Sequence, residues 1–362
     1  MNLSEEQSML LDTAQAFCRE KAAIRDSIAN LATHDPDLWQ EIAELGWLGV
    51  AVPEEYGGLG MGLPSVVPIA EAMGRHLFST PYLATTLAIH AIVSSASDEQ
   101  KQAWLPELAA GSIGTLALTE ADGSWLLDDV EVQADGDDAI VLRGTKCQVL
   151  DAEEADYMVV SAKVNGSTSL ICVRKEQLPR EAIRREVVID ETRRSYTVTL
   201  DGVTVMPDQL LPKCDLEAIE HAALLLLSAE MSGGMTAVLH VVVEYLNTRK
   251  QFDHFIGSYQ SLKHPTVDIL LDGEGCKSHV YHAASVMAEG DRTATDVAVR
   301  MAKAQASEAF AYAGDRAVQF HGGFGFTYEC DAQLYLRRAL WCQHQFGDER
   351  YHRQKLAPAL LD

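Results

Sequence analysis

Basic residues are scarce in this chain of 362 residues: 29 Lys and Arg stand against 53 Asp and Glu, a formal net charge of −24. Nucleic-acid binding needs cations clustered against phosphate, so that class of function is excluded. Long apolar runs are missing as well. None reaches the roughly 18 residues of a membrane-spanning helix, and the longest, such as Ala222 to Leu227, sit inside helical patterns. The opening Met-Asn-Leu-Ser-Glu-Glu has neither the basic nor the apolar region of a secretory signal. No CxxC pair occurs. Cys18, Cys147, Cys172, Cys214, Cys276, Cys330 and Cys342 are scattered, which reads as reduced thiols in a cytoplasmic protein and not as a disulfide frame or a zinc site. There is no internal repeat and no low-complexity tract. What is there is ordinary for a globular protein, 47% hydrophobic and 23% charged, and long enough for two or three packed subdomains.

Three textures divide the chain. Residues 1–113 are helical. Ser4-Glu-Glu-Gln7 fits a capping box with Leu10, Ala14 and Phe17 on one face behind it. Asp35-Pro36 opens a further helix and Gly46 closes it. Pro53-Glu-Glu-Tyr-Gly-Gly-Leu-Gly60 is a loop, and helical patterns resume from Pro64 to Leu108. Residues 114–213 read as strands. Val130-Glu-Val132 alternates into the turn Asp135-Gly136, and Ile140-Val-Leu142 follows. Asn165-Gly166 between two apolar runs predicts a hairpin, and Tyr196, Val198 and Leu200 alternate up to Asp201-Gly202. Residues 214–362 return to helix, with periodic segments near 216–248, 261–289, 294–320 and 330–345 that predict a four-helix bundle.

Two segments carry chemistry. Arg249-Lys-Gln-Phe252 ends the first long helix of the last region. Its guanidinium could hold a pyrophosphate through paired hydrogen bonds, or simply complement the helix dipole. In Gln319-Phe-His-Gly-Gly-Phe-Gly325 three glycines remove side chains where a backbone could be approached closely, or where a helix ends in a turn.

Taken together and in this order, these segments carry a resemblance. Arg-x-x-Phe is followed by Ile256-Gly-Ser-Tyr-Gln260, by the helix Ala302-Lys-Ala-Gln-Ala-Ser-Glu308, and by the glycine run. Leu45-Gly-Trp-Leu-Gly-Val-Ala-Val-Pro-Glu-Glu-Tyr-Gly-Gly-Leu-Gly60, Thr115-Leu-Ala-Leu-Thr-Glu120 and Leu142-Arg-Gly-Thr-Lys146 agree in the first half. The chain resembles the acyl-CoA dehydrogenase family of flavoenzymes along essentially its whole length. The resemblance implies an α+β multidomain fold: an N-terminal helical domain, a central β-barrel-like domain and a C-terminal four-helix bundle. It also implies FAD lying between subunits. One subunit holds the isoalloxazine and the acyl thioester, and its neighbour reaches across to the ADP half. The residues that would reach across are Arg249, Phe252, Gln260, Gln319 and Gly323, in a glycine run that includes Gly322; all keep the family's type.

The groups expected to act within the subunit itself are changed. The resemblance places the catalytic Glu 27 positions after Gln319, where this chain has Phe346 before Gly347. A minority of the family carries it on the first bundle helix, 29 positions before Phe252, where this chain has Ala223. Abstraction of an α-proton needs a positioned base, and neither side chain can accept a proton. In Cys147-Gln-Val-Leu-Asp151, Gln148 stands for an aromatic and Leu150 for a hydroxyl beside the flavin ring. Ala121-Asp-Gly-Ser-Trp125 is one residue short and ends in Trp. Such a division implies the non-catalytic subunit of an α2β2 enzyme, like those acting on steroid side-chain acyl-CoA. A homologous catalytic subunit would supply the base and most contacts to substrate, and an electron-transfer flavoprotein would take the electrons. Two other readings stay open: a homo-oligomeric dehydrogenase with a displaced base, Glu230 being the candidate, and a flavin-free scaffold.

Overall fold

The computed structural model describes residues 5–29 and 34–361. Ser4, half of the expected capping box, lies outside them. The N-terminal region is α1 (Glu5–Lys21), α2 (Ile24–Ala29), α3 (Pro36–Glu44), α4 (Val67–Arg75), α5 (Tyr82–Ser95) and α6 (Asp98–Ala109). Asp35 caps α3 as its sequence suggests, its carboxylate accepting from the backbone N–H of Asp37 at 3.0 Å and of Leu38 at 3.2 Å. The short α2 has no fully buried residue, so no apolar stripe announces it.

The central strands are β1 (Gly114–Ala117), β2 (Gln133–Asp135), β3 (Ile140–Arg143), β4 (Thr145–Leu150), β5 (Tyr157–Val164), β6 (Ser167–Arg174), β7 (Ile183–Arg185), β8 (Ser195–Thr199) and β9 (Thr204–Val205). One sheet runs β1-β5-β2-β3-β9 with β6 on β5, and a second runs β4-β8-β7. Only Gly144 separates β3 from β4, so the chain passes straight from one sheet into the other and the whole curls. The Asn165-Gly166 hairpin forms as expected, with Val164 opposite Ser167 and both turn residues at positive φ. Val130 to Val132, read as strand, are not. The Glu120 carboxylate takes the N–H of Glu131 at 2.9 Å and of Val132 at 3.4 Å, diverting them from a ladder, and pairing begins at Gln133.

The last region is α7 (Leu216–Thr248), the two-strand hairpin β10 (Lys250–Gln251) and β11 (His254–Phe255), α8 (Gln260–Glu289), α9 (Arg292–His321), α10 (Asp331–His344) and α11 (Glu349–Leu361). The four predicted helices are present within two residues of their expected ends. α11 is an addition: only His352 and Leu356 are buried on it, too few for a periodic signal. α7 is the axis of the molecule. It is long and apolar enough to cross a bilayer, yet 89% of its most apolar window is buried inside the fold. It packs against α9 and α8 on one side and α4 on the other. The α4 crossing requires two glycines. A Cβ on Gly74 would lie 1.9 Å from the Glu230 carbonyl oxygen, and one on Gly233 would lie 1.8 Å from that of Glu71. Through this contact the N-terminal helices and the bundle share one hydrophobic core.

Candidate functional site

The chain's two candidate half-sites lie apart. At one end of the bundle the last turns of α7 and α9 are tied by Tyr245, whose ring stacks on His321 at 4.0 Å. Beyond Tyr245, Arg249 ends α7 and its carbonyl accepts from Ile256 N–H at 2.9 Å, closing the β10–β11 hairpin. Phe252 and Asp253 form the hairpin tip with φ of +53° and +63°. The left-handed region disfavours such side chains by roughly 1–2 kcal/mol each, yet Phe252 is held there 85% exposed. Gln260 begins α8 beside the hairpin. Gln319 lies in the last turn of α9, its carbonyl accepting the N–H of Gly322. Arg249, Phe252, Gln260, Gln319, Gly322 and Gly323 are all exposed. Nothing lies within 4 Å of a Cβ placed on Gly322 or Gly323. The structure therefore leaves all six residues exposed near the end of the bundle where α7 and α9 finish, with a guanidinium among them.

The other half-site lies where the turn after α10 meets β1 and β4. Phe346, at φ +56°, is half-buried there and helps enclose a cavity of about 40 Å³ with Leu87, Leu116, Leu118, Gln148 and Leu150. Gln148 also has a left-handed φ of +54°, at a slip in the β4–β8 register, and is exposed. Ala223 is fully buried in α7. Trp125 reaches over the turn: its Nε1–H donates to the His344 carbonyl at 3.0 Å, its ring stacks on His344, and Tyr351 meets it edge-on at 5.4 Å. Thr119-Glu120 and Lys146 keep a structural role. The buried Lys146 ammonium bonds the Glu120 carboxylate, Ser161 Oγ at 2.9 Å and the Leu118 carbonyl at 3.2 Å. Burial pulls the Lys146 amine below its ordinary range against the opposing pull of Glu120.

Glu230, the candidate displaced base, is taken up elsewhere. One carboxylate oxygen accepts from both Arg193 and Arg338, and Arg338 also pairs with Asp190 and donates to Thr192. All five side chains are buried. They pin the β7–β8 connection against α7 and α10. Asp348 and Glu349 likewise serve local structure. Asp348 accepts from Tyr351 N–H at 2.7 Å at the start of α11, and Glu349 from Gln343 Nε2 at 2.8 Å.

Family models agree with this architecture. The acyl-CoA dehydrogenase N-terminal domain matches residues 4–112, and the acyl-CoA dehydrogenase C-terminal domain matches residues 216–361. The chain belongs to the acyl-CoA dehydrogenase family. Acyl-CoA dehydrogenase IpdE2 of Mycolicibacterium smegmatis is 29% identical over 359 residues, covering 98% of both chains. Acyl-CoA dehydrogenase fadE12 of Mycobacterium bovis is 30% identical, covering 88% of this chain and 90% of its own. Among solved structures, the Tcur3481-Tcur3483 steroid ACAD (G363A variant) is 27% identical with a TM-score of 0.87, over 98% of this chain and 97% of that one.

Membership implies FAD as cofactor. The two half-sites fit it unequally. The open bundle end, with its guanidinium, amides and bare glycines, suits a pyrophosphate and adenosine. The cavity beside Phe346 is narrowed by the Phe346 and Leu150 side chains, and its lining offers no carboxylate. Two site-shaping groups, Lys303 and Arg338, escaped the sequence reading as charged residues inside helical patterns, and Trp125 reads in the sequence only as a departure from the family pattern; only proximity in the folded chain reveals their partners. The one available signal was Glu230, a carboxylate in an apolar stretch that demanded a cation.

Proposed function

We propose that this chain is the non-catalytic subunit of a heteromeric acyl-CoA dehydrogenase. Its exposed bundle end would complete the FAD site of a homologous, base-containing chain in an α2β2 assembly. The observation that carries the reading is the division just described. Phe346 and Ala223 stand at the two base positions, Phe346 in the wall of a small cavity and Ala223 buried inside α7, while Arg249, Phe252, Gln260, Gln319, Gly322 and Gly323 stay open to a neighbour. The proposed units are residues 1–113, 114–213 and 214–362, the last carrying the shared surface.

FAD, when bound, supplies the hydride acceptor for α,β-dehydrogenation. The Arg249 guanidinium would hold its pyrophosphate, Phe252 would cover the adenine, and the Gln260 and Gln319 amides with the Gly322–Gly323 backbone would bond the ADP portion. The α-proton must go to a carboxylate of the partner, since this chain has none in place. A bulky acyl-CoA fits the reading, plausible as a steroid side-chain thioester from the likeness to a steroid ACAD, and the reduced complex would pass electrons to an electron-transfer flavoprotein. Free thiols throughout fit a reducing, cytoplasmic setting.

The test is flavin content and mass of the chain alone and co-purified with a base-containing homologue. A colourless lone chain and a yellow α2β2 complex support the reading. A yellow, active homo-oligomer would return Glu230 to candidacy, and a complex without flavin would leave a scaffold. Within the complex, Arg249→Ala should weaken FAD retention by about 1.5–3 kcal/mol, the worth of a charge-assisted hydrogen bond, measured by flavin release on dilution; unchanged retention removes Arg249 from the site. Phe346→Glu alone should leave the isolated chain without dehydrogenase activity, because Gln148 and Leu150 remain beside the ring position. Turnover by that single variant in a standard dye-reduction assay would show that the ring pocket is intact.

A further inference from the structure

The turn that carries Phe346 is gripped from two sides by donors belonging to distant segments. Beneath it, the fully buried Lys303 of α9 donates to the Gln343 carbonyl at 3.1 Å and the Gly347 carbonyl at 2.6 Å, and to Ser307 Oγ at 3.1 Å. Above it, Trp125 Nε1–H donates to the His344 carbonyl at 3.0 Å. Three carbonyls of one turn are thus held by two side chains, with Gln345 N–H bonded to Cys342 O at 3.3 Å between them. Inside this grip both Phe346 and Gly347 have positive φ, +56° and +104°. A Cβ on Gly347 would meet Tyr351 Cδ1 at 2.4 Å. The backbone therefore has little freedom to move Phe346 out of the cavity wall.

We infer that Lys303 and Trp125 are positioning residues forming a two-sided clamp, which keeps Phe346 seated as a plug in this chain's own cavity. The clamp concerns this cavity alone and holds whether or not a flavin is shared with a partner. Its strength depends on the protonation of Lys303. An ammonium makes charge-assisted bonds to all three acceptors, whereas the neutral amine has two N–H donors for the two carbonyls, must take Ser307 Oγ–H as a donor to its lone pair, and holds the turn more weakly. Burial lowers the Lys303 amine to about 7, with Cys342 of α10 and Asp348 and Glu349 at the head of α11 pulling the other way. The remaining neighbours do not titrate in that range. Arg300 of α9 stays charged, and burial takes His352 of α11 down to about 3, so it is neutral. On the other side of the turn, Trp125 faces His344 and Tyr351; burial raises the Tyr351 phenol further from that range, and His344 is controlled for by substitution. The clamp should be complete below neutral pH and loosen above it.

The experiment labels the full chain with 5-fluorotryptophan and follows the Trp125 fluorine resonance, assigned with Trp125→Phe, from pH 6 to 8.5. The other four tryptophans are buried, and of these Trp39, Trp47 and Trp104, which lie outside α10, serve as internal references. A Trp125 shift with a midpoint near 7 that survives in His344→Asn and disappears in Lys303→Met is the expected result. Faster hydrogen exchange at the Gln345 amide in Lys303→Met should accompany it. A flat wild-type signal overturns the clamp, as does a titration that persists in Lys303→Met or is lost in His344→Asn. If Lys303→Met does not fold, the wild type and His344→Asn still decide: a transition that His344→Asn leaves in place supports Lys303, and its loss assigns the transition to His344.

Discussion

Arg338→Met should lower the stability of the folded chain by about 3–5 kcal/mol, the cost of breaking a buried ion pair from one side. Arg338 is 1% exposed and answers both Asp190 and Glu230. Without it, among the described residues, Asp190 retains only Thr192 and the more distant Arg193, and Glu230 retains Arg193 alone. A buried carboxylate with too few donors is far costlier than an apolar pair of the same shape. Arg338→Met combined with Glu230→Leu should therefore recover part of the loss. Denaturant unfolding measures both, and a single-variant loss under about 1 kcal/mol would show that the cluster is well hydrated instead. The effect has a pH signature. Burial pushes the Asp190 carboxyl up, but Arg338 and Arg193 outweigh it and hold it below the usual carboxylate range. A depressed carboxyl contributes stability that is present above its unfolded pKa of about 3.9 and is lost as pH falls through the lower folded value. In wild type that loss comes only in strong acid; Arg338→Met should unfold at distinctly higher pH.

Gly233→Ala should destabilise by about 3 kcal/mol, at the upper end of the usual cost of overpacking. Helix propensity alone predicts the opposite sign, since alanine is favoured over glycine in a helix interior by up to about 1 kcal/mol. Packing decides. The new methyl would sit 1.8 Å from the Glu71 carbonyl oxygen, and backbone atoms of α4 can yield only by shifting the whole helix. Glu71 is itself fixed by the Tyr281 hydroxyl and by Lys277 of α8, so a displaced α4 would also disturb a buried carboxylate. Gly275→Ala on α8 is the matched control: nothing lies within 4 Å of its Cβ, and propensity should stabilise it by about 0.5–1 kcal/mol. Thermal melts of the two variants moving in the same direction would refute the close α4–α7 crossing.

The helices that dominate the fold were legible because their apolar residues recur on one face over many turns. α7, α8, α9 and α10 emerged this way, as did α3 through its Asp35-Pro36 start and Gly46 stop. The hairpin at Asn165-Gly166 was legible because that dipeptide tolerates two positive φ angles. Its counterpart at Phe252-Asp253 was not, because those residues do not favour the conformation they adopt. α11 was missed because it buries too little, and β2 was misplaced by three residues because the Glu120 side chain, distant in sequence, claims the preceding N–H groups. At the candidate site, single residues could be read by kind but not by company. Phe346 is visibly not a base in any context. That Lys303 lies beneath its turn, that Trp125 lies above it and that Glu230 is bound by two guanidiniums follows only from contacts spanning 37 to 219 positions of chain.

The open end of the bundle sets a condition on how the protein can be produced. Phe252 at 85%, Phe326 at 72%, Tyr328 at 62%, Phe324 at 47% and Phe255 at 46% exposure turn five aromatic rings toward water around the ends of α7 and α9. Apolar surface gathered in this way drives self-association unless something covers it. The high negative charge of the chain delays that association through mutual repulsion, and salt weakens the protection. Yield of soluble material should therefore track the supply of whatever covers this end, and a cell that made this chain in excess would accumulate the surplus as aggregate.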